Sequence, residues 1–399
     1  MVSSFGWLDV DAVQRQKMLE VVDLFRESGT VDDLGVGTIR DAFSDLLFPG
    51  TSVLHTRLRY VLFVPWLMQR AQAKGSPGEM SAEFRRLEFR LITSLLEGGE
   101  RQGVIGNTAR SGLNQLPSAM YWSALGAWGV RDVASVDAYF RRTHDLRALD
   151  RRSVRADDPE SQGNTSGSGI DPHLPPAPRN LLTSAVLTLE PEEEQYLSDR
   201  IAASARGSML GWLVHHQPTN DPDRVWDIDN LADAPENLRN VVDHAKRYSL
   251  AINGGALLYN LLLAEKSEQV ERADEYREAL DGWRESVAAA RTFTGWNRAD
   301  FWGTVRSGNP NLRPMTATFV DRWLDLVAAD DDVASSSEAR SLVATREKNI
   351  KGGRARLLNQ AALDRWNGAS GVGRNDFRWL VARSHLRDLY TAREGMKAA

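Results

Sequence analysis

The side chains of this chain best suited to chemistry fall in one run, residues 30–66, reading TVDDLGVGTIRDAFSDLLFPGTSVLHTRLRYVLFVPW. Asp41 and Asp45 are four apart and share one helix face, Arg40 is adjacent, and His55 and Arg57 follow across a glycine turn at Gly50. Paired carboxylates with a histidine are the ingredients of metal-assisted phosphodiester hydrolysis, in which a cation activates water and stabilises the leaving oxygen. Asp41, Asp45 and His55 are therefore the catalytic candidates. Asp32, Asp33, Arg40, Arg57 and Arg59 form a structural or ligand cluster beside them, interleaved with Leu34, Ile39, Phe43, Phe48, Leu62 and Phe63. Charges set among so much apolar surface need a partner or a ligand. Carboxylates beside arginines also make structural ion-pair networks that fix the angle between two helices.

A second constellation lies near the C-terminus. The chain of 399 residues carries a net charge of -5, yet residues 341–399 hold 12 Lys and Arg against 5 Asp and Glu. An acidic body with a basic tail suits an anionic partner such as nucleic acid. Arg354, Arg356, Arg374, Arg378, Arg383 and Arg387 would neutralise phosphate, and Trp379 among them would stack on an unpaired base. The alternative is that Phe377, Leu380, Val381 and Leu389 bury a face together with Trp379 while the arginines stay in water, or that the tail docks on an acidic protein.

Other motifs exclude more than they suggest. His215 and His216 are adjacent, point about 100° apart on a helix and make a poor metal pair. The glycine-rich segments at 351–354 and 368–374 match neither a P-loop nor a dinucleotide fingerprint, so no cofactor and no metal is expected. With no cysteine, disulfides, thiolate catalysis and cysteine-bound metals are ruled out. The N-terminus lacks a signal-peptide pattern, and no apolar run approaches the roughly 20 residues of a membrane span, so a cytoplasmic protein without a membrane partner is expected.

The elements that must position these residues are helical. Apolar spacing predicts helices at 11–25, 52–73 (interrupted at Pro65), 81–96, 117–128, 135–146, 190–205, 207–216, 235–264 and 267–291, with three more between 338 and 393. Residues 103–131 resemble a helix-turn-helix half in outline. Residues 185–189 carry the one strand signal, so the fold class is mainly α, a multi-helix protein of two or three helical subdomains joined by flexible linkers. Linker composition at 151–179 and 330–337 divides it into an N-terminal domain (1–150), a central domain (180–329) and a basic C-terminal region (338–399).

The opening FGWLD (residues 5–9), DDLGVGTIRDAFSDLLFPGTS (32–52), the pattern RY-x-LF-x-PW (59–66) and the RW-containing end (358–390) together resemble an uncharacterised bacterial family, a domain of unknown function, along nearly the whole chain. Such proteins tend to be encoded beside helicases and nucleases in antiviral defence clusters. That neighbourhood, together with the basic tail and the lack of any complete catalytic motif, points to a non-catalytic accessory component of an anti-phage system, working with a helicase or nuclease partner and contacting DNA. The alternative is a metal-dependent nuclease or phosphohydrolase centred on the N-terminal Asp, His and Arg cluster.

Overall fold

The computed structural model describes residues 32–107, 115–155, 167, 169–329 and 332–398. The helix expected at 11–25 lies outside the described residues. Among them are fourteen α-helices and no strand; the only β pairing is an isolated bridge between Arg131 and Ile170. The chain is mainly α. It divides into two compact units, Met1–Phe43 with Asp243–Asn375, and Ser44–Val242 with Asp376–Ala399.

The first unit contains the start of α1 (Gly37–Leu47), most of α8 (Glu236–Lys266), and α9 (Val270–Ala289), α10 (Arg298–Gly308), α11 (Pro314–Ala328), α12 (Ser337–Lys351) and α13 (Gln360–Leu363). Helix α1 starts where it does because the Asp32 carboxylate accepts from the Val36 and Gly37 amides, both at 2.7 Å, satisfying two donors that a helix N-terminus leaves unpaired. Its core is aromatic. Phe43, Tyr248 and Phe301 stack, and the indoles of Trp283 and Trp323 donate to the carbonyls of Leu250 and Ala251. Gly254 on α8 permits this, since a Cβ there would stand 2.3 Å from the Trp283 ring.

The second unit contains α2 (Tyr60–Ala71), α3 (Pro77–Glu97), α4 (Pro117–Ala127), α5 (Val136–Arg155), α6 (Pro191–Ser204), α7 (Met209–Leu213) and α14 (Trp379–Ala398). Helix α2 is buried on every side from Tyr60 to Met68, as an all-apolar helix must be, and packs on α3 and α4. Helix α3 opens with a reciprocal Ser76–Glu79 capping box and a proline in its first turn, which explains its register.

Three expectations are corrected. Residues 52–59 do not extend α2, because side chains take their amides: Thr56 and Arg57 N–H donate to the Tyr121 hydroxyl and Leu58 N–H to Asp388. Residues 185–189 form no strand, because the Ala185 and Leu187 amides donate to Ser94 and Glu100 side chains. The described end of the expected 151–179 linker is packed: Ile170 is buried, Asp171 pairs with Arg200, and Trp66 donates to the Pro175 carbonyl. Within 330–337, Val333 is buried and Ser336 caps α12. Partners hundreds of residues apart, such as Arg57 and Asp388, hold the second unit together.

Candidate functional site

In the first unit, Asp33 lies in a buried ionic cluster. It accepts from Lys351 Nζ and from Arg356 Nη1 at 3.1 Å, and Arg356 also donates to Ser370 Oγ. Glu347, wholly buried, accepts from the Tyr259 hydroxyl, the Arg356 and Leu357 amides (2.8 and 3.1 Å) and Lys351 (3.3 Å). Burial and the neighbouring Asp33 push the Tyr259 phenol far up, so it stays a donor. Nearby, Arg346 donates to the carbonyls of Leu34, Gly35 and Met315. Each oxygen of both carboxylates therefore accepts from at least one in-chain donor. Sequence reasoning singled out Asp33 and Arg356 but missed Glu347 and Tyr259, whose surroundings in the sequence carry no signal.

The remaining candidates of this unit separate. Asp41 binds its neighbour Arg40 at 3.1 Å, Arg354 is exposed on a turn after α12, and Arg374 is exposed with an interaction of its own. The 368–374 loop offers carbonyls rather than amides: Gly368 O accepts from Tyr276 and Arg272, Ser370 O from Asn260 and Val372 O from Asn253. That polarity suits helix-to-helix bracing and not a phosphate cradle.

In the second unit, Arg59 and Glu193 form a buried pair at 2.6 Å, and Arg57 grips Asp388 while Leu58 N–H donates to the same carboxylate. Asp45 pairs with Arg378. His55 is buried, its Nε2 at 3.0 Å from the Met120 carbonyl and its ring stacked on Tyr121 and His385. Nδ1 of His55 and both ring nitrogens of His385 have no hydrogen-bond partner. Burial, reinforced by Arg378, holds the His55 imidazole down to about 4, and burial likewise holds His385 well below its usual value. Both are neutral at pH 7, so neither is an imidazolium acid there.

A pH dependence follows. The folded-state pKa of His55 lies below its unfolded value of 6.5, so the unfolded chain binds the proton first and stability falls as pH drops from 6.5 toward 4. The loss from His55 alone is about 3 kcal/mol across that window. Urea melts at pH 7.5 and 5 should show the His385→Leu variant losing less stability on acidification than the parent chain. An equal loss in both would remove His385 as a contributor and leave the loss to His55 and other groups.

Helix α14 carries the last three candidates, Trp379, Arg383 and Arg387. Trp379 cannot serve as a base-stacking platform in this structure: it is 2% exposed, packs on Phe48, and donates its indole N–H to the Pro222 carbonyl at 2.9 Å. Arg383 faces Asp221 and Asp223, and Arg387 pairs with Asp221. Among the described residues no three His, Asp or Glu side chains gather as metal ligands, and Asp41 belongs to the first unit whereas Asp45 and His55 belong to the second.

Residues 2–393 match the model of a family of unknown function, DUF6361. The chain belongs to that family. No curated protein and no solved structure matches it. Membership spans both compact units, so the ionic cluster of the first and the buried pairs of the second fall within the family's extent. Among the described residues no helix is long and apolar enough to cross a membrane.

Proposed function

We propose that this protein is a cytoplasmic, non-catalytic helical component of a bacterial antiviral system, which works with a helicase or nuclease and contacts DNA through the outer face of α14. What supports the non-catalytic reading is that four buried carboxylates are held by the chain itself. Asp33, Glu347, Glu193 and Asp388 each accept from named cations, amides or hydroxyls of the same chain. A general base needs a lone pair aimed at substrate. The genomic part of the proposal rests on the gene neighbourhood that the family resemblance implies, and the DNA contact on the arginines of α14 and the basic tail.

A mobility-shift titration with single-stranded and duplex DNA, at two salt concentrations and with Mg2+ present, tests it. Salt-sensitive binding without cleavage is the expected result. Arg383→Gln with Arg387→Gln should weaken binding about tenfold and lower the salt slope by about 2. Mg2+-dependent cleavage that disappears in Asp41→Asn would overturn the proposal in favour of a metal-dependent nuclease.

A further inference from the structure

In the second unit a strap runs along α14 in the opposite chain direction. Leu213 O accepts from the Tyr390 hydroxyl, Val214 O from Arg393, Gln217 donates to Glu394 at 3.1 Å, and Pro222 O accepts from Trp379 at 2.9 Å and Arg383 at 2.7 Å. The tip of the strap is closed on itself. Thr219 donates to Asp229, Asn220 donates to the Asp227 carbonyl and accepts from the Asp229 amide, and Asn230 donates to His216 O. This bracing leaves Asp221 and Asp223 projecting from a fixed backbone, with 58% and 87% of their side chains exposed.

Those two carboxylates face the same guanidinium groups that the DNA-binding proposal uses. Asp223 lies 3.2 Å from Arg383, Asp221 lies 3.6 Å from Arg383, and Asp221 also pairs with Arg387. A carboxylate oxygen on a guanidinium stands where a phosphate oxygen would stand, with the same charge and hydrogen-bond geometry. Exposed pairs of this kind contribute little to stability. The fold does not need them to hold the strap, since Pro222 O and the internal bonds of the tip do that.

Building on the proposed DNA contact, we infer that Asp221 and Asp223 are a built-in competitor for the phosphate backbone, which neutralises Arg383 and Arg387 until a polyanion replaces them. Displacement moves two exposed side chains and leaves the backbone anchors in place. A dense phosphate array replaces both carboxylates together, whereas a single free phosphate replaces one at most, so the device favours a nucleic-acid backbone over small anions.

The test is duplex DNA titrated against the parent chain, Asp221→Asn with Asp223→Asn, and Arg383→Gln with Arg387→Gln, at low ionic strength. The double Asn variant should melt as the parent does and bind about tenfold more tightly, because removing the carboxylates leaves the arginines uncompensated. Adding the two Gln substitutions to it should abolish that gain. Equal affinity of parent and Asn variant, with the Gln variant weaker than both, would keep α14 as the DNA contact and overturn the competitor. No binding by any of the three would overturn the contact and the competitor together.

Discussion

Replacing Glu193 by Gln should destabilise the protein by about 3–5 kcal/mol, because it strands the Arg59 guanidinium in the core of the second unit. Arg59 is 2% and Glu193 4% exposed, and the pair closes at 2.6 Å. Arg59 also donates to the Val186 carbonyl at 2.9 Å, but its Nε has no partner, so the carboxylate supplies most of the compensation. Glutamine retains an acceptor for the Glu190 amide in the α6 capping box and loses the charge, which makes the variant a test of the pair rather than of the cap. Removing one partner of a buried pair costs more than removing both, since the survivor is left desolvated without a counter-charge. Arg59→Met with Glu193→Leu should therefore recover most of the loss, less about 1 kcal/mol for the broken capping box. Urea melts of the parent, Glu193→Gln and the Arg59→Met with Glu193→Leu protein make the comparison; a Glu193→Gln variant within about 1 kcal/mol of the parent would show that water reaches the pair.

Helix type and most helix bounds were legible because local rules decide them. The period of Phe84, Leu87, Leu91 and Leu95 marks the buried face of α3, and Ser76, Pro77 and Glu79 mark its start. The fate of Trp379 was legible too, though it takes the apolar spacing rather than the charge spacing to see it. Trp379, Ala382, Leu386 and Leu389 recur every three or four residues and all are buried, so the indole belongs to the packed face of α14. What remained hidden is non-local. Nothing near His55 says that Tyr121, 65 or so positions on, would take the neighbouring amides and stop α2 from starting early; nothing near Arg57 announces Asp388. Arg59 did carry a signal, being a lone charge at the entry to an all-apolar helix, but its counter-ion sits in the first turn of α6, where a Glu run reads as ordinary dipole complement. The grouping of Asp41, Asp45 and His55 rests on spacing, which places residues on a helix face and does not say which cation each will meet.

Glu347→Ala should have a comparable or larger effect, about 3–5 kcal/mol, and a local signature that separates bracing from chemistry. Its carboxylate is wholly buried and accepts from four donors: the Tyr259 hydroxyl, two backbone amides and Lys351. Removal leaves the amides of Arg356 and Leu357 without acceptors and leaves Lys351 and Arg356 sharing Asp33 alone. Lys351→Met should cost less, since the ammonium is 19% exposed and water takes part of its place. The amides report the mechanism directly. In the parent chain, hydrogen exchange at Arg356 and Leu357 should be slow, and in Glu347→Ala it should rise at those two positions ahead of the amides of α12, because their acceptor is gone while the helix ladder is intact. Should Glu347→Ala instead melt as the parent does with both amides still protected, the carboxylate would be dispensable to the fold. A buried Asp–Lys–Glu–Tyr cluster kept at no benefit to stability would then call for a ligand or a reaction, and the surroundings of Asp33 and Glu347, rather than the helix face carrying Asp41, would be the place to look for it.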